Sequence, residues 1–175
     1  SEVAGMTPQI MTVRGPVEPA DLGFTSMHEH ILVDLASCYR ERFQKMLPGS
    51  TQFPDGPFTM EDRSILRHAM LMSSENLRLD DEATAAGEVA DFKAAGGAAI
   101  VETGAPGIRS WEDVVAFRRI SEQTGVHIVA CTGLYAEDSW PERFRDLTQD
   151  QYADFVRGEI TNGIGDSGIR PGQIK

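Results

Sequence analysis

Two histidines separated by a single residue stand within a short apolar stretch. The stretch reads Phe24-Thr25-Ser26-Met27-His28-Glu29-His30-Ile31-Leu32-Val33-Asp34. On an extended strand, side chains two residues apart leave the same face, so His28 and His30 would converge while Glu29 points away. Imidazole is the most common metal ligand among side chains, and converging histidines at a strand end could supply two ligands of a catalytic zinc-like centre. The residues alone leave two interpretations open, a metal-ligand pair and an ordinary buried or exposed histidine pair.

The overall charge narrows the classes of function. The chain has 175 residues, of which 27 are acidic and 16 are basic, and its formal net charge is −11. This excess of negative charge disfavours binding to nucleic acid and to anionic membrane surfaces. No apolar run has the length of a membrane span, and residues 1–10 lack the pattern of a secretory signal, so we expect a cytoplasmic protein. The two cysteines are too few for a disulfide framework, and we expect Cys131 to be a buried thiol.

Strand-like and helix-like segments alternate along most of the chain. Residues 1–20 predict an N-terminal hairpin with its turn at Arg14-Gly15-Pro16. The predicted helices cover residues 60–71, 82–95, 111–125 and 149–162, and the last two begin at the capping sequences of residues 110–113 and 148–151. The predicted strands lie within residues 24–34, 98–101, 126–131 and 172–175. An insertion, residues 37–80, follows the first main strand, and its first part is rich in Pro and Gly. Alternation of helices with uniformly apolar strands predicts a parallel α/β architecture.

Polar side chains stand where the predicted strands end. They are His28 and His30, then Glu102 and Thr103, then Tyr135, and finally Lys175. In parallel α/β folds, ligands and catalytic groups lie at this carboxyl edge. Four such strands correspond to half of an eight-stranded barrel, which needs about 250 residues. The pattern leaves two interpretations, an open sheet and the first half of a longer protein.

The longest motif in the chain resembles a known family. The run Gly23-Phe24-Thr25-Ser26-Met27-His28-Glu29-His30 is similar to the N-terminal signature of the phosphotriesterase family in the amidohydrolase superfamily. Further similar segments follow in order: Gly107-Ile108-Arg109, residues 124–129, Thr132-Gly133-Leu134-Tyr135 and residues 163–175. Residues 75–79 and 92–97 resemble the branch called phosphotriesterase-related proteins. The resemblance covers nearly the whole chain.

This resemblance implies a fold and a metal centre. The expected fold is a (β/α)8 TIM-type barrel, of which residues 1–175 would form the first half, with the N-terminal hairpin and strands 1 to 4. The family places two divalent metal ions, usually zinc, at the carboxyl rim of the barrel. By resemblance, His28 and His30 match ligands of the more buried metal, and Lys175 matches a lysine that many members carboxylate to bridge both metals. In the phosphotriesterase-related branch a glutamate just beyond this position often takes the bridging role, so Lys175 and such a glutamate stay alternatives.

The resemblance also implies roles for residues near the rim. Tyr135 matches a position at which the family has an aromatic residue in the substrate pocket, and Trp140 is expected to line the same pocket. Glu102 would support the metal ligands without ligating, and Arg109 would anchor its loop. Two histidines and one aspartate from strands five, six and eight would complete the metal centre. A homodimer is the expected assembly of the family.

The hypothesis that follows is a binuclear metal-dependent hydrolase. A hydroxide bridging the two metals would attack an ester, lactone, amide or phosphotriester bond of a small molecule. The alternative is a barrel without metals that serves as a small-molecule binding protein. A parallel α/β metal enzyme of another kind, such as an aldolase, would not explain the motif that surrounds His28 and His30.

Overall fold

The computed structural model describes residues 8–35, 59–68 and 75–175, which form a mixed α/β fold with parallel strands. The strands are β1 (Ile10–Thr12), β2 (Gly15–Val17), β3 (Thr25–Glu29), β4 (Val33–Asp34), β5 (Arg78–Leu79), β6 (Ala99–Glu102), β7 (His127–Val129), β8 (Cys131–Thr132) and β9 (Gln173–Ile174). The α-helices are α1 (Arg63–His68), α2 (Glu82–Ala94), α3 (Trp111–Thr124), α4 (Glu142–Arg145) and α5 (Gln149–Asn162). The predicted alternation of strands and helices is therefore present.

The central strands are parallel and follow the chain in order. β3 pairs with β6, and β6 pairs with β7, with Ile100 opposite Ser26 on one side and opposite Ile128 on the other. β8 continues directly after β7 and pairs in parallel with β9 through Cys131 and Gln173. Because all these strands run in one direction, their carboxyl ends meet at the same edge.

Helices α2 and α3 cover this sheet and pack against each other. Phe117 and Ile120 of α3 are buried with Ile100 and Ile128 of the strands in the main apolar cluster. Arg119 of α3 donates two hydrogen bonds to the carboxylate of Glu82 on α2, at 2.7 and 2.6 Å. The exposed ion pair adds little stability, so burial of the apolar faces holds the helices on the sheet.

The helix boundaries follow local capping chemistry. Ser110 begins α3 with a reciprocal capping box in which its side chain accepts from Asp113 and the Asp113 side chain accepts from Ser110. Thr148 and Gln151 form the equivalent capping box at the start of α5. Both boxes satisfy backbone N–H groups that have no partner inside a helix. Both helices begin at the residues that the sequence predicts, Trp111 and Gln149.

The N-terminal hairpin is present, but its turn is not where the sequence predicts it. Val13 and Arg14 form the turn, while Gly15 and Pro16 belong to β2. Gly15 has φ of +117°, a conformation that the flexible glycine backbone allows within the strand. The predicted insertion, residues 37–80, lies partly outside the described residues, so only α1, β5 and their neighbours in it are described. In the part of the chain that the structure describes, no helix is long and apolar enough to cross a membrane.

We expect Phe117→Ala to be the most costly kind of change in this core. The ring is fully buried, and its removal should lower the free energy of unfolding by about 3–5 kcal/mol because apolar burial is lost and a cavity remains. Urea denaturation followed by circular dichroism measures this loss. Met60→Ala, at a side chain that is 77% exposed, is the control and should change stability by less than about 0.5 kcal/mol. Equal effects of both changes would contradict this description of the core.

Candidate metal and catalytic site

The two histidines of the opening motif lie together at the carboxyl end of β3. His28 belongs to the strand and His30 follows its last residue. Their ring centroids are 5.9 Å apart, with the ring planes at 87°. The register between β3 and β6 is irregular between Ser26 and Glu29, and there the Ser26 hydroxyl donates a hydrogen bond of 2.6 Å to the Glu29 carboxylate. The strand thus brings both imidazoles to one place in spite of the irregular register.

Glu102, the last residue of β6, faces His30. Its side chain is completely buried, and Oε1 lies 3.5 Å from Nδ1 of His30. The same oxygen accepts a hydrogen bond of 2.9 Å from the backbone N–H of Gly104. Oε2 of Glu102 and Nδ1 of His30 are both buried, and neither has a hydrogen-bond partner among the described residues. A buried carboxylate therefore stands directly beside one ring nitrogen of the second histidine.

Thr103 connects the end of β6 to two other strand ends. Its backbone N–H donates to the carbonyl oxygen of Glu29 at 3.0 Å. Its own carbonyl oxygen accepts from Nζ of Lys175 at 2.8 Å. The ammonium group of Lys175 also lies 4.6 Å from the centre of the Tyr135 ring, a cation–π contact. Lys175 and Tyr135 are therefore neighbours. The residue that anchors Lys175 directly follows Glu102, whose carboxylate faces His30.

Gly133 permits Lys175 to reach this position. Its φ is +113°, and a Cβ atom there would lie 2.3 Å from the carbonyl oxygen of Lys175. Every other residue type has a Cβ atom, so glycine alone allows this close approach of two backbones. The backbone N–H of Lys175 also donates to the carbonyl oxygen of Thr132 at 2.8 Å.

Arg109 holds the loop that follows β6. The side chain is 8% exposed, and it donates to the carbonyl oxygens of Gly104 at 2.6 Å, Cys131 at 2.7 Å and Ser110 at 3.3 Å. A planar guanidinium group has enough fixed donors to satisfy several carbonyl groups at once. This agrees with its expected role as a loop anchor.

Two further buried groups lie below the rim. The thiol of Cys131 is fully buried and contacts the carbonyl oxygen of Gly104 at 3.2 Å, and burial raises its pKa to about 12. The thiol thus stays protonated at neutral pH, in keeping with the buried, unreactive cysteine that the sequence predicts. Glu159 of α5 accepts a hydrogen bond of 2.5 Å from the hydroxyl group of Thr132. Burial raises the pKa of Glu159, and the hydrogen bond from Thr132 opposes this shift.

Trp140 contacts the backbone of Tyr135 and lines a separate cavity. Its indole N–H donates to the backbone carbonyl oxygen of Tyr135 at 2.9 Å. The side chain lines a cavity of about 390 Å³ together with Phe144 and Tyr152, and Tyr135 is not among the residues around that cavity. The substrate-binding roles of Tyr135 and Trp140 stay predictions.

His127 occupies the opposite end of the sheet. It begins β7, and its Nδ1 lies 3.2 Å from a guanidinium nitrogen of Arg14. Burial and the neighbouring cation of Arg14 lower the pKa of His127. This position places His127 away from the carboxyl rim, so it serves as a matched comparison for the two rim histidines.

Glu159 and Thr132 form a buried polar pair that the sequence motifs do not reveal. The helical spacing could have indicated that Glu159 is buried, because it lies three residues after Val156 and on the same buried side of α5. In the sequence, however, Glu159 cannot be told from the solvent-exposed acidic residues of the same helix, Asp150 and Asp154. Only the tertiary structure brings it to the end of β8.

The donor atoms at the rim fit part of a divalent metal centre. Two imidazoles suit zinc and similar cations, and a carboxylate beside the second nitrogen is the usual surrounding of a ligating histidine. Within residues 8–35, 59–68 and 75–175, no three His, Cys, Asp or Glu side chains gather closely enough to hold one ion. His28 and His30 therefore fit as two ligands. Of the other ligands that the resemblance implies, Lys175 lies within these residues, and the two histidines and the aspartate of strands five, six and eight are not among them.

Comparisons with known proteins give one consistent family. The model of the phosphotriesterase family matches residues 8–175. The N-acetyltaurine hydrolase of Tetraodon nigroviridis is 32% identical over 173 residues, which cover 98% of this chain and 48% of the relative. A phosphotriesterase-related protein of Aedes aegypti is 32% identical over 159 residues, or 89% of this chain and 43% of the relative. The chain thus spans about half the length of the curated relatives it matches.

A solved structure agrees with this assignment. The crystal structure of a resiniferatoxin-binding protein from Rhodobacter sphaeroides superposes with a TM-score of 0.82 and 35% identity, over 95% of this chain and 45% of that protein. Structures of this kind are TIM-type barrels of which the present chain covers about half. The predicted α/β fold class and its (β/α)8 barrel are confirmed.

We expect Arg109→Met to destabilise the rim strongly. The substitution keeps most of the apolar stem but removes the guanidinium donors from the buried carbonyl groups of Gly104 and Cys131, and Gly104 keeps only the weak donor of the Cys131 thiol. Each poorly satisfied group costs about 1–3 kcal/mol. Urea denaturation should show a loss of about 3 kcal/mol in the free energy of unfolding. Arg157→Ala removes an exposed ion pair with Asp154, and as a control it should cost less than about 1 kcal/mol. A similarly small loss in Arg109→Met would show that the anchor is dispensable.

Proposed function

The chain belongs to the phosphotriesterase family, and from this premise we propose that the protein is a binuclear metal-dependent hydrolase of a small molecule. One observation carries the proposal. The imidazoles of His28 and His30 lie together at the carboxyl end of a parallel strand, beside the buried carboxylate of Glu102. This is the edge at which α/β barrels bind ligands and perform catalysis.

In this proposal His28 and His30 hold one of two divalent cations, with zinc as the expected metal. The anionic group shared by the two cations would be Lys175, carboxylated on Nζ, or the glutamate that the phosphotriesterase-related branch often has just beyond this position. When bound, such cations make hydroxide available near neutral pH and polarise the carbonyl or phosphoryl oxygen of the substrate. The residues of this chain orient the ligands and bind the substrate around them.

Carboxylation would change the contacts of Lys175 in a defined way. The ammonium group now donates to the carbonyl oxygen of Thr103 and faces the Tyr135 ring. A carbamate nitrogen keeps one N–H, so the hydrogen bond to Thr103 can persist. The cation–π contact would be lost because the positive charge is removed. The hydroxyl group of Tyr135 takes no part in that ring contact and could donate to a substrate oxygen whether or not Lys175 is carboxylated. Tyr135 is 43% exposed at the rim.

Among the bonds considered, the comparisons favour an amide. Curated relatives that match 98% of this chain carry the name N-acetyltaurine hydrolase, and N-acetyltaurine is an N-acyl amide that ends in a sulfonate. We therefore propose small N-acyl amides as the first substrates to test. Esters, lactones and phosphotriesters are the further candidates.

A second candidate function has its own support. The solved structure with a TM-score of 0.82 and 35% identity is that of a resiniferatoxin-binding protein. A metal-free barrel that binds a small molecule is therefore the alternative. Metal analysis of the purified protein separates the two functions. At least one tightly bound divalent ion per chain supports the hydrolase, and less than one supports the binding protein.

The expected setting is a cytoplasmic enzyme that acts on a small molecule. The formal net charge of −11 supports the proposal that neither nucleic acid nor an anionic membrane is a partner, because like charges repel. Assembly as a homodimer and location in the cytoplasm are proposals as well, and the homodimer rests on the family resemblance.

We expect His28→Ala to abolish hydrolysis while leaving the fold intact. Loss of a metal ligand should reduce kcat/KM for an N-acyl amide by more than about 100-fold, the upper range for partners that act outside the ligand shell. Metal content should fall in parallel, and the circular dichroism spectrum should stay unchanged. His127→Ala changes the same residue type at the opposite end of the sheet, and it should retain both turnover and metal. Undiminished turnover in His28→Ala would overturn the proposal.

We expect short carboxylic acids to restore part of the activity lost in Lys175→Ala. Acetate or propionate can occupy the space of the carbamate and supply its anionic oxygens. The measurement is turnover as a function of the concentration of the added acid. Lys93→Ala, a change in the last turn of α2, is the control and should show neither loss nor rescue. Absence of rescue would favour a glutamate as the bridging group.

A further inference from the structure

A buried ring nitrogen and a buried carboxylate at the rim face each other without a completed hydrogen bond. They are Nδ1 of His30 and the carboxylate of Glu102, whose Oε1 lies 3.5 Å from that nitrogen. Among the described residues, Nδ1 of His30 and Oε2 of Glu102 have no hydrogen-bond partner. Leaving buried polar groups without hydrogen-bond partners destabilises the folded protein. The separation exceeds a normal hydrogen bond, and approach by about 0.5 Å would bring the pair into that range.

The carboxylate is held in place independently of the histidine. Gly104 donates its backbone N–H to Oε1 of Glu102 at 2.9 Å. Arg109 in turn donates to the carbonyl oxygen of Gly104 at 2.6 Å. Because both supports are buried, Glu102 has a fixed position toward which the imidazole of His30 must orient. Hydrogen bonds in ligand-free active sites are often long and shorten when the site is loaded.

We propose that Glu102 is a positioning residue that keeps the proton of His30 on Nδ1, so that Nε2 presents its lone pair at the rim. An ionised carboxylate can only accept hydrogen bonds, and a neutral imidazole has one donor and one acceptor nitrogen. With the proton on Nδ1, the N–H group of His30 faces an acceptor oxygen of Glu102. With the proton on Nε2, a lone pair would face the carboxylate, and the buried Nδ1 would stay unsatisfied.

The Nδ1-protonated tautomer would leave Nε2 of His30 available to bind a metal ion. This catalytic part of the inference rests on the proposed hydrolase function. A metal ion binds the unprotonated nitrogen, and a carboxylate on the other nitrogen fixes the ring and makes it a stronger ligand. The side chain of His30 is 27% exposed, and since Nδ1 is buried, the exposed part belongs to the rest of the ring. The tautomer itself is a property of this chain and exists without any metal.

The test begins with the metal-free protein, prepared with a chelator. Nitrogen-15 NMR of the histidine side chains at mildly alkaline pH reports which ring nitrogen carries the proton. We expect His30 to be protonated on Nδ1 in the wild type and to shift toward Nε2 protonation in Glu102→Ala. Glu102→Gln keeps an oxygen acceptor without charge and should retain the Nδ1 tautomer in part. An Nε2 tautomer in the wild type, or an unchanged tautomer in Glu102→Ala, would overturn the proposal.

Gly104→Ala tests the same idea while the carboxylate is retained. The added Cβ atom would lie 2.8 Å from Oε1 of Glu102, so the carboxylate must move from its present position. We expect the proton of His30 to redistribute as in Glu102→Ala, to a smaller extent. Gly87→Ala is the matched control, because nothing lies within 4 Å of a Cβ atom there. An unchanged tautomer in Gly104→Ala would count against fixed positioning by Glu102.

Zinc titration of the same variants separates this inference from the proposed hydrolase. We expect zinc affinity to fall about 10–100-fold in Glu102→Ala. Glu159→Ala removes another buried glutamate, one that accepts from Thr132, and should alter neither the tautomer nor the affinity. A loss of the same size in Glu159→Ala would reduce Glu102 to a general structural role. A wild type that binds no zinc but shows the Nδ1 tautomer would refute the hydrolase and leave the positioning role standing.

Discussion

The carboxyl end of β6 is the point on which the rim of this protein depends. Glu102 faces His30, Thr103 binds both the end of β3 and the ammonium group of Lys175, and Gly104 accepts from Arg109. Three consecutive residues thus link the carboxyl ends of β3, β6 and β9. Since parallel strands place their carboxyl ends together, a short polar segment at one strand end can organise several neighbouring side chains.

Buried charge at this end is balanced by hydrogen bonding. Arg109 is largely buried, and backbone carbonyl oxygens accept hydrogen bonds from its guanidinium group. Glu159 is supported by the Thr132 hydroxyl group, although burial still raises its pKa. Such groups are costly to bury unless every donor finds an acceptor. Hydrogen bonds therefore hold the rim where it contacts the core, while Tyr135 and part of His30 stay open to solvent.

The free edge of β3 agrees with the barrel that the comparisons show. Among the described strands, β3 pairs with β6 alone, whereas a closed barrel pairs both edges of each strand. A cavity of about 540 Å³ lies beside this strand, lined by side chains such as Val89 and Phe92 of α2. Met27 is 69% exposed on the same strand. Apolar surface of this kind is expected where a barrel wall continues.

The sequence by itself determined the order of elements, the two capping boxes and the convergence of polar residues at one sheet edge, because these follow from local periodicity and spacing. The family motif around His28 and His30 also determined the barrel class. Local patterns misplaced the hairpin turn, because Gly15 and Pro16 can occupy either a turn or an edge strand. Only the tertiary structure decided that Glu102 faces Nδ1 of His30, that Lys175 contacts Thr103 and Tyr135, and that Glu159 is buried. Those contacts join residues far apart in the chain, and packing alone fixes which of them meet.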